Sequence, residues 1–322
     1  MGQNRRGVVN WRRKLSNGNV MEKNQSYGMW LVYAAALGAM LFWGCSYVWS
    51  TIVFEYWNPI IVIFFRSLFS SALLFLIIRL SGKSAKIEKK DRKYIFILAL
   101  FSPALYFLFE SFGLLYSSPT ISAGIVALIP VFISIMAFFV LKEHLKKWNI
   151  VGIIISLGGV WMMLINKEMV FVAQWYGIVF LFLAVGSAVC YSIYIRRLSL
   201  KYNPFVIVAC QNLIGAILFL PFFTIFGFCQ LATTPITMEL ITSFLMLLVF
   251  ASSLAFPFHT FVISKIGVSR AAVFTNLIPV ITAAVSYFIL KEMFSVYKIA
   301  GIIMVVGGVF LSQIGRIKLI NT

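Results

Sequence analysis

Leu128-Ile-Pro-Val131, Leu141-Lys-Glu143 and Gly158-Gly-Val160 decide how this chain folds, because all three return as Leu277-Ile-Pro-Val280, Leu290-Lys-Glu292 and Gly307-Gly-Val309. The offset is a constant 149 residues and nearly half the positions across the stretch are identical, which makes the pattern a duplication rather than a by-product of apolar composition. Carried towards the amino terminus, the same offset aligns Phe109 with Phe258 and Phe112 with Phe261. At 145 residues it aligns Asn58-Pro59 with Asn203-Pro204, and Cys45 with Cys190. The chain therefore reads as two homologous halves, residues 28–166 and 174–316, behind a tail of residues 1–27.

Of the 322 residues, 61% are hydrophobic and 11% charged, and the mean hydropathy is +0.98, more apolar surface than a water-soluble core of this length can hide. Ten runs are long enough to cross a hydrocarbon layer, at 28–52, 59–79, 94–116, 121–141, 149–166, 175–196, 204–226, 240–263, 271–290 and 297–314. The expected fold is an all-α membrane protein of ten transmembrane helices, five in each half. Linkers are too short to fold into an extramembrane domain, which excludes an attached ATPase. Gly82-Lys83-Ser84 resembles the end of a phosphate-binding loop, but Ile77 stands where that loop needs glycine, so the segment is read as a plain connection. The four cysteines (45, 190, 210 and 229) have no metal-ligand spacing and are read as small packing residues; neither a metal nor a cofactor is expected.

A net charge of +18 would point to nucleic acid in a soluble domain, but its distribution points to a membrane and no nucleic-acid partner is expected. With the amino terminus in the cytoplasm, twenty-three of the twenty-seven Lys and Arg residues fall in the tails and loops of one face. Only Lys167, Lys291 and Lys298 fall on the other, and Arg66 lies within a span. The bias predicts both termini on the cytoplasmic side of a bacterial plasma membrane, with residues 1–27 as a basic, disordered tail rather than a signal peptide, and Met21 as an alternative start. Five spans per half is an odd number, so the halves are expected to lie inverted in the bilayer.

Phe42-Trp-Gly44, Asn58-Pro59 followed by Arg66, Glu110 before Leu115-Tyr116, and the doubled Pro, Leu-Lys-Glu and Gly-Gly signatures resemble the EamA family of the drug/metabolite transporter superfamily over residues 30 to 314. The resemblance implies ten spans, a central cavity between the halves and movement of small metabolites such as amino acids without ATP. Where many members carry a lysine near the end of the first span this chain has Ser50-Thr51, so no such cation is carried over.

Ionisable groups inside spans are costly and therefore functional candidates. At 1.5 Å per residue, Arg66 lies about 10 Å and Glu110 about 9 Å from the outer ends of their spans, depths at which the two can pair. That pair is expected to be either fixed or a gate that opens when a substrate carboxylate takes Arg66 or a proton takes Glu110. Under the repeat offsets Arg66 corresponds to Gln211 and Glu110 to His259, a neutral, titratable pair towards the inner face. Glu110 and His259 are not expected to touch. Pro130 and Pro279 fall near mid-span and deprive the carbonyls of Val126 and Thr275 of helical partners, the sign of broken helices at a substrate site. Thr275 and Asn276 add polar groups there, and Trp43, Tyr47, Tyr106 and Tyr191 are candidate aromatic lining. Gly152, Gly158-Gly159, Gly301 and Gly307-Gly308 are read as close helix packing, and Glu143 and Glu292 as groups that solvate span ends or cap the next helix.

The function expected is a secondary transporter that exports a small polar metabolite, an amino acid or related zwitterion, by alternating access, with protons as possible coupling ions, bound lipid, and a monomeric or homodimeric state. Export of lipophilic cations, with Glu110 as counter-ion, and uptake of a nucleoside-type metabolite are the alternatives. A channel or scaffold gives no particular reason for doubled, proline-broken helices. An enzyme acting on lipid-linked substrates is disfavoured, because no zinc motif, catalytic carboxylate pair or nucleophile with a base is visible.

Overall fold

The computed structural model describes residues 28–82, 86–141, 146–165 and 171–313; the basic tail, Glu143 and the end of the chain lie outside them. Ten membrane-length helices follow one another: α1 (Met29–Phe54), α2 (Pro59–Leu80), α3 (Lys89–Leu115), α4 (Pro119–Met136), α5 (Lys147–Leu164), α6 (Trp175–Ser199), α7 (Pro204–Phe226), α8 (Met238–Ile266), α9 (Val268–Ile289) and α10 (Val296–Gln313). A helix satisfies its own backbone groups, which is why a chain this apolar can cross lipid in this form. Among the described residues there is no strand, only a bridge between Ile165 and Phe171.

Several helix starts are written in the duplicated motifs. Asn58 accepts a hydrogen bond from the Ile60 amide and Asn203 one from the Phe205 amide, each ahead of a proline whose missing N–H costs nothing in the first turn. Ser118 and Thr237 cap α4 and α8 in the same way. Large apolar side chains cover the outside of the bundle: Leu76, Ile217, Ile225, Phe288 and Phe310 are all exposed, as lipid-facing groups must be.

Packing follows the duplication. Helix α5 lies along α10, and α2 along α7, so equivalent helices of the two halves pair with each other. In turn α3 packs on α6 as α8 does on α1, and α4 on α6 as α9 does on α1. The closest approach is between α5 and α10. A Cβ on Gly159 would stand 2.7 Å from the Gly301 carbonyl oxygen, and one on Gly152 would stand 2.3 Å from the Ser312 amide nitrogen. Gly301 and Gly308 are equally tight, whereas Gly158 and Gly307 have room for a side chain. Close packing thus accounts for one glycine of each Gly-Gly pair and not for its neighbour.

Four helices are broken near mid-length. Helix α4 is interrupted between Val126 and Ile129, and α9 tightens to a 3-10 turn at Phe274–Asn276, in both cases just before the proline. Helices α3 and α8 are interrupted too, which the reading of Pro130 and Pro279 did not anticipate. Residues Leu100–Leu105 and Leu247–Ala255 widen to π turns at equivalent places in the two halves, and Ser102 leaves the helical region altogether. Side chains cover the loosened carbonyls: Ser187 on α6 donates to Phe101 at 2.7 Å and Ser253 to Leu248 at 2.7 Å. π turns recur at functional sites, because they turn side chains and carbonyls off the regular helical grid.

Candidate functional site

The broken helices surround one cavity of about 90 Å³ between the halves. Helix α1 supplies Trp43 and Tyr47, α2 Arg66, α3 Tyr106 and Glu110, α6 Tyr191, α8 His259 and α9 Thr275, all of them in its wall. Asn276 and Gln211 are buried but not part of the wall.

Glu110 is held by two phenols. The hydroxyls of Tyr47 and Tyr106 each donate to its Oε1 at 2.8 Å, while no described group donates to Oε2. Tyr106 sits four residues before Glu110 and so lies over it on the same helix face, and Tyr47 arrives from α1. Arg66 is 4% exposed and is held differently. Its Nε donates to the Ser252 hydroxyl at 2.9 Å, on the π turn of α8, and its guanidinium lies 4.2 Å from the centre of the Phe107 ring. No described group accepts from its two terminal nitrogens.

The expected Arg66–Glu110 pair is therefore corrected. Both charges stand in one cavity, but no ion pair joins them among the described residues. Equal depth allowed the pair; what prevents it is the direction in which each helix face points, with Arg66 towards α8 and Glu110 towards α1.

The expected neutral pair is also not formed. His259 packs against Trp43 with ring centres 4.9 Å apart and planes tilted by 60°, and its Nε2 has no partner. Gln211 and Thr260 both lie near the Tyr191 hydroxyl, and neither amide atom of Gln211 closes a hydrogen bond. Glu110 and His259 do not touch, as expected, yet they line the same cavity because Tyr47 and Trp43 carry it through one turn of α1. Thr275 donates to the Ala272 carbonyl at 2.7 Å, and Asn276 Oδ1 is unpartnered. Pro130 and Pro279 are buried beside the cavity rather than in its wall. No group of three or more His, Cys, Asp or Glu that could hold a metal occurs among the described residues.

Polar clamps close the bundle at both ends. At one end Lys201 reaches Asp91 at 2.5 Å and Glu88 at 2.6 Å, and the Tyr202 hydroxyl donates to Asp91 at 2.7 Å. Partial desolvation works against the Lys201 ammonium, but its bonds to Asp91, Glu88 and Tyr202 prevail and hold its pKa above the usual lysine value. The bonds from Lys201 and Lys90 hold Glu88 below the usual carboxylate range. At the other end Glu292 pairs with Lys298, accepts from Thr120 on α4 at 2.7 Å and bonds Ser286, while Lys298 reaches Ser118 at 3.3 Å. Burial raises the Glu292 carboxyl, yet Lys298 and the two hydroxyls outweigh it and hold it below the usual value. Glu292 is thus neither a free solvating group nor a cap, but a tie between α4 of one half and α9 and α10 of the other.

Ten apolar spans in two like halves around a cavity that holds one cation and one anion define a membrane carrier. The EamA-like transporter family profile matches residues 30–165 and 175–313, one match for each half, and the chain belongs to that family. An uncharacterized transporter of Archaeoglobus fulgidus is 26% identical over 88% of this chain and 97% of its own. The uncharacterized transporter YetK of Bacillus subtilis is 27% identical over 93% and 90%. A protein crystal structure with 18% identity superposes with a TM-score of 0.66 over 88% of this chain and 98% of that one, which is a likeness of fold.

Proposed function

We propose that the protein moves a small zwitterionic metabolite, an amino acid or a close relative, outwards across the bacterial plasma membrane by alternating access. The observation that carries this reading is the separation of Arg66 from Glu110 within one cavity. Each charge is anchored by neighbours through one group, Nε on Ser252 and Oε1 on two phenols, and each keeps further atoms unbonded. Two terminal guanidinium nitrogens suit a carboxylate bidentately, and a carboxylate oxygen suits an ammonium. A lipophilic cation would meet the Arg66 charge in the same space, which weighs against that alternative.

Alternating access is supported by the build. A cavity of about 90 Å³ is smaller than the ~300–1,000 Å³ of ordinary ligand sites, so loading requires the halves to part. Clamps tie the halves at both ends of the bundle, and an odd number of spans per half supports an inverted arrangement of the repeats. In this reading the Lys201 end and the basic tail face the cytoplasm, as the charge bias requires.

Counterflow in proteoliposomes, with a panel of amino acids, nucleosides and lipophilic cations, tests the reading. Exchange of amino acids that is lost in Arg66→Ala and Glu110→Gln is the expected result. Exchange of cations or nucleosides with amino acids inert would overturn it.

A further inference from the structure

The cavity has two floors. Tyr47 and Trp43 are four residues apart on α1, which separates them by ~6 Å along the helix axis. Glu110 and Tyr106 stand at the level of Tyr47; at the level of Trp43 stand His259 and Phe256, each with its ring centre 4.9 Å from the indole. The duplication relates these floors, since Glu110 corresponds to His259 and Arg66 to Gln211. One has kept charge and the other is neutral.

The neutral floor holds polar atoms that no protein group uses. Trp43 Nε1 and His259 Nε2 are buried without a partner. Leaving buried polar groups unpaired is costly, so folded chains seldom keep several together without a purpose. Phenylalanine would keep an aromatic contact with Phe256 without that cost. An indole N–H only donates, whereas a neutral imidazole offers one donor and one acceptor. Side by side, the two rings match a group that both accepts and donates.

We infer that Trp43 and His259 form a side-chain subsite, selecting zwitterions whose side chain ends in an uncharged carboxamide or hydroxyl ~6 Å from the charged end. The inference rests on the zwitterion reading above and adds the ligand's polarity: charged ammonium and carboxylate on the Glu110 and Arg66 floor, neutral tip on the other. A site built to hydrogen-bond a ligand rejects the analogue that lacks the group, because its own donors are then left unpaired.

Competition in counterflow reads this directly, with glutamine against norleucine and 5-hydroxynorvaline against norleucine on the wild type, Trp43→Phe and His259→Leu. In the wild type the polar member of each pair competes at a concentration about tenfold lower or less. In both variants the ratio falls to about twofold, and thermal unfolding in detergent separately reports a folded carrier. Equal competition in the wild type, or a ratio unchanged in both variants, overturns the subsite and leaves the zwitterion reading standing. Loss of all exchange in Trp43→Phe, which keeps an aromatic ring there, assigns the indole a structural role and overturns it too. If no zwitterion competes at all, subsite and parent reading fall together.

Discussion

Arg66 donates from Nε to the Ser252 hydroxyl at 2.9 Å, so the buried cation of the first half is anchored on the π turn of the second. The bond crosses between the repeats and fixes where the guanidinium faces the cavity. A hydrogen bond to a charged group contributes ~1.5–3 kcal/mol. Ser252→Ala is therefore expected to raise the KM for a zwitterion by about tenfold while leaving the charge in place, and Arg66→Lys, which loses the planar fork, to do worse. Concentration-dependent counterflow measures both.

The two phenols on Glu110 act on one oxygen, Oε1. Tyr47→Phe or Tyr106→Phe leaves the other donor in place, so each single change is expected to lower transport a few-fold. The double change frees the carboxylate to swing towards Arg66 and is expected to lose more than the product of the singles. A double-mutant cycle on initial rates checks this, with a coupling of about 1 kcal/mol or more.

Gly159 and Gly158 are adjacent, yet only the first lies against the α10 backbone, while a Cβ on Gly158 would meet the Met304 side chain at an ordinary 3.4 Å. Gly159→Val is expected to destabilise the protein by ~1–3 kcal/mol or to prevent its assembly, whereas Gly307→Ala, where nothing lies within 4 Å of the added carbon, is expected to be silent. Thermal unfolding in detergent separates the two.

Glu292 is held below its ordinary pKa by Lys298 and two hydroxyls, which together outweigh its burial. A depressed carboxylate adds stability that is fully present above the unfolded value of ~4.3 and is lost as pH falls through the lower folded value. Wild type is thus expected to exceed Glu292→Gln by ~1–3 kcal/mol near neutral pH, with the gap closing below about pH 4. Melting curves of both proteins across that range provide the check.

Much of this was legible in the sequence, because a duplication and ten apolar runs are one-dimensional signals. The Asn-Pro caps of α2 and α7 were visible as motifs, and the cost of burying charge singled out Arg66 and Glu110 before their surroundings were known. Rotation about the helix axis was not legible. Depth along a span is set by residue count, but the side on which Arg66 meets Ser252 depends on how α2 and α8 pack. One clue was available in part: Gly152 and Gly159 are seven residues apart and share a face, while Gly158 is turned about 100° away. The π turns of α3 and α8 had a signal in Ser102-Pro103 and in Ser252-Ser253 followed by Pro257. The tie from Thr120 to Glu292 had none, since it joins residues 172 apart through tertiary packing alone.

The central claim is that one ligand satisfies Arg66 and Glu110 together, and clipping the ligand's charges tests it most directly. Equilibrium binding to the purified protein is measured for an exchanged amino acid, its methyl ester and its N-acetyl derivative. Each derivative is expected to bind about tenfold more weakly or worse, the ester sparing the loss in Arg66→Ala and the N-acetyl form in Glu110→Gln. Equal affinity for all three ligands would contradict the account.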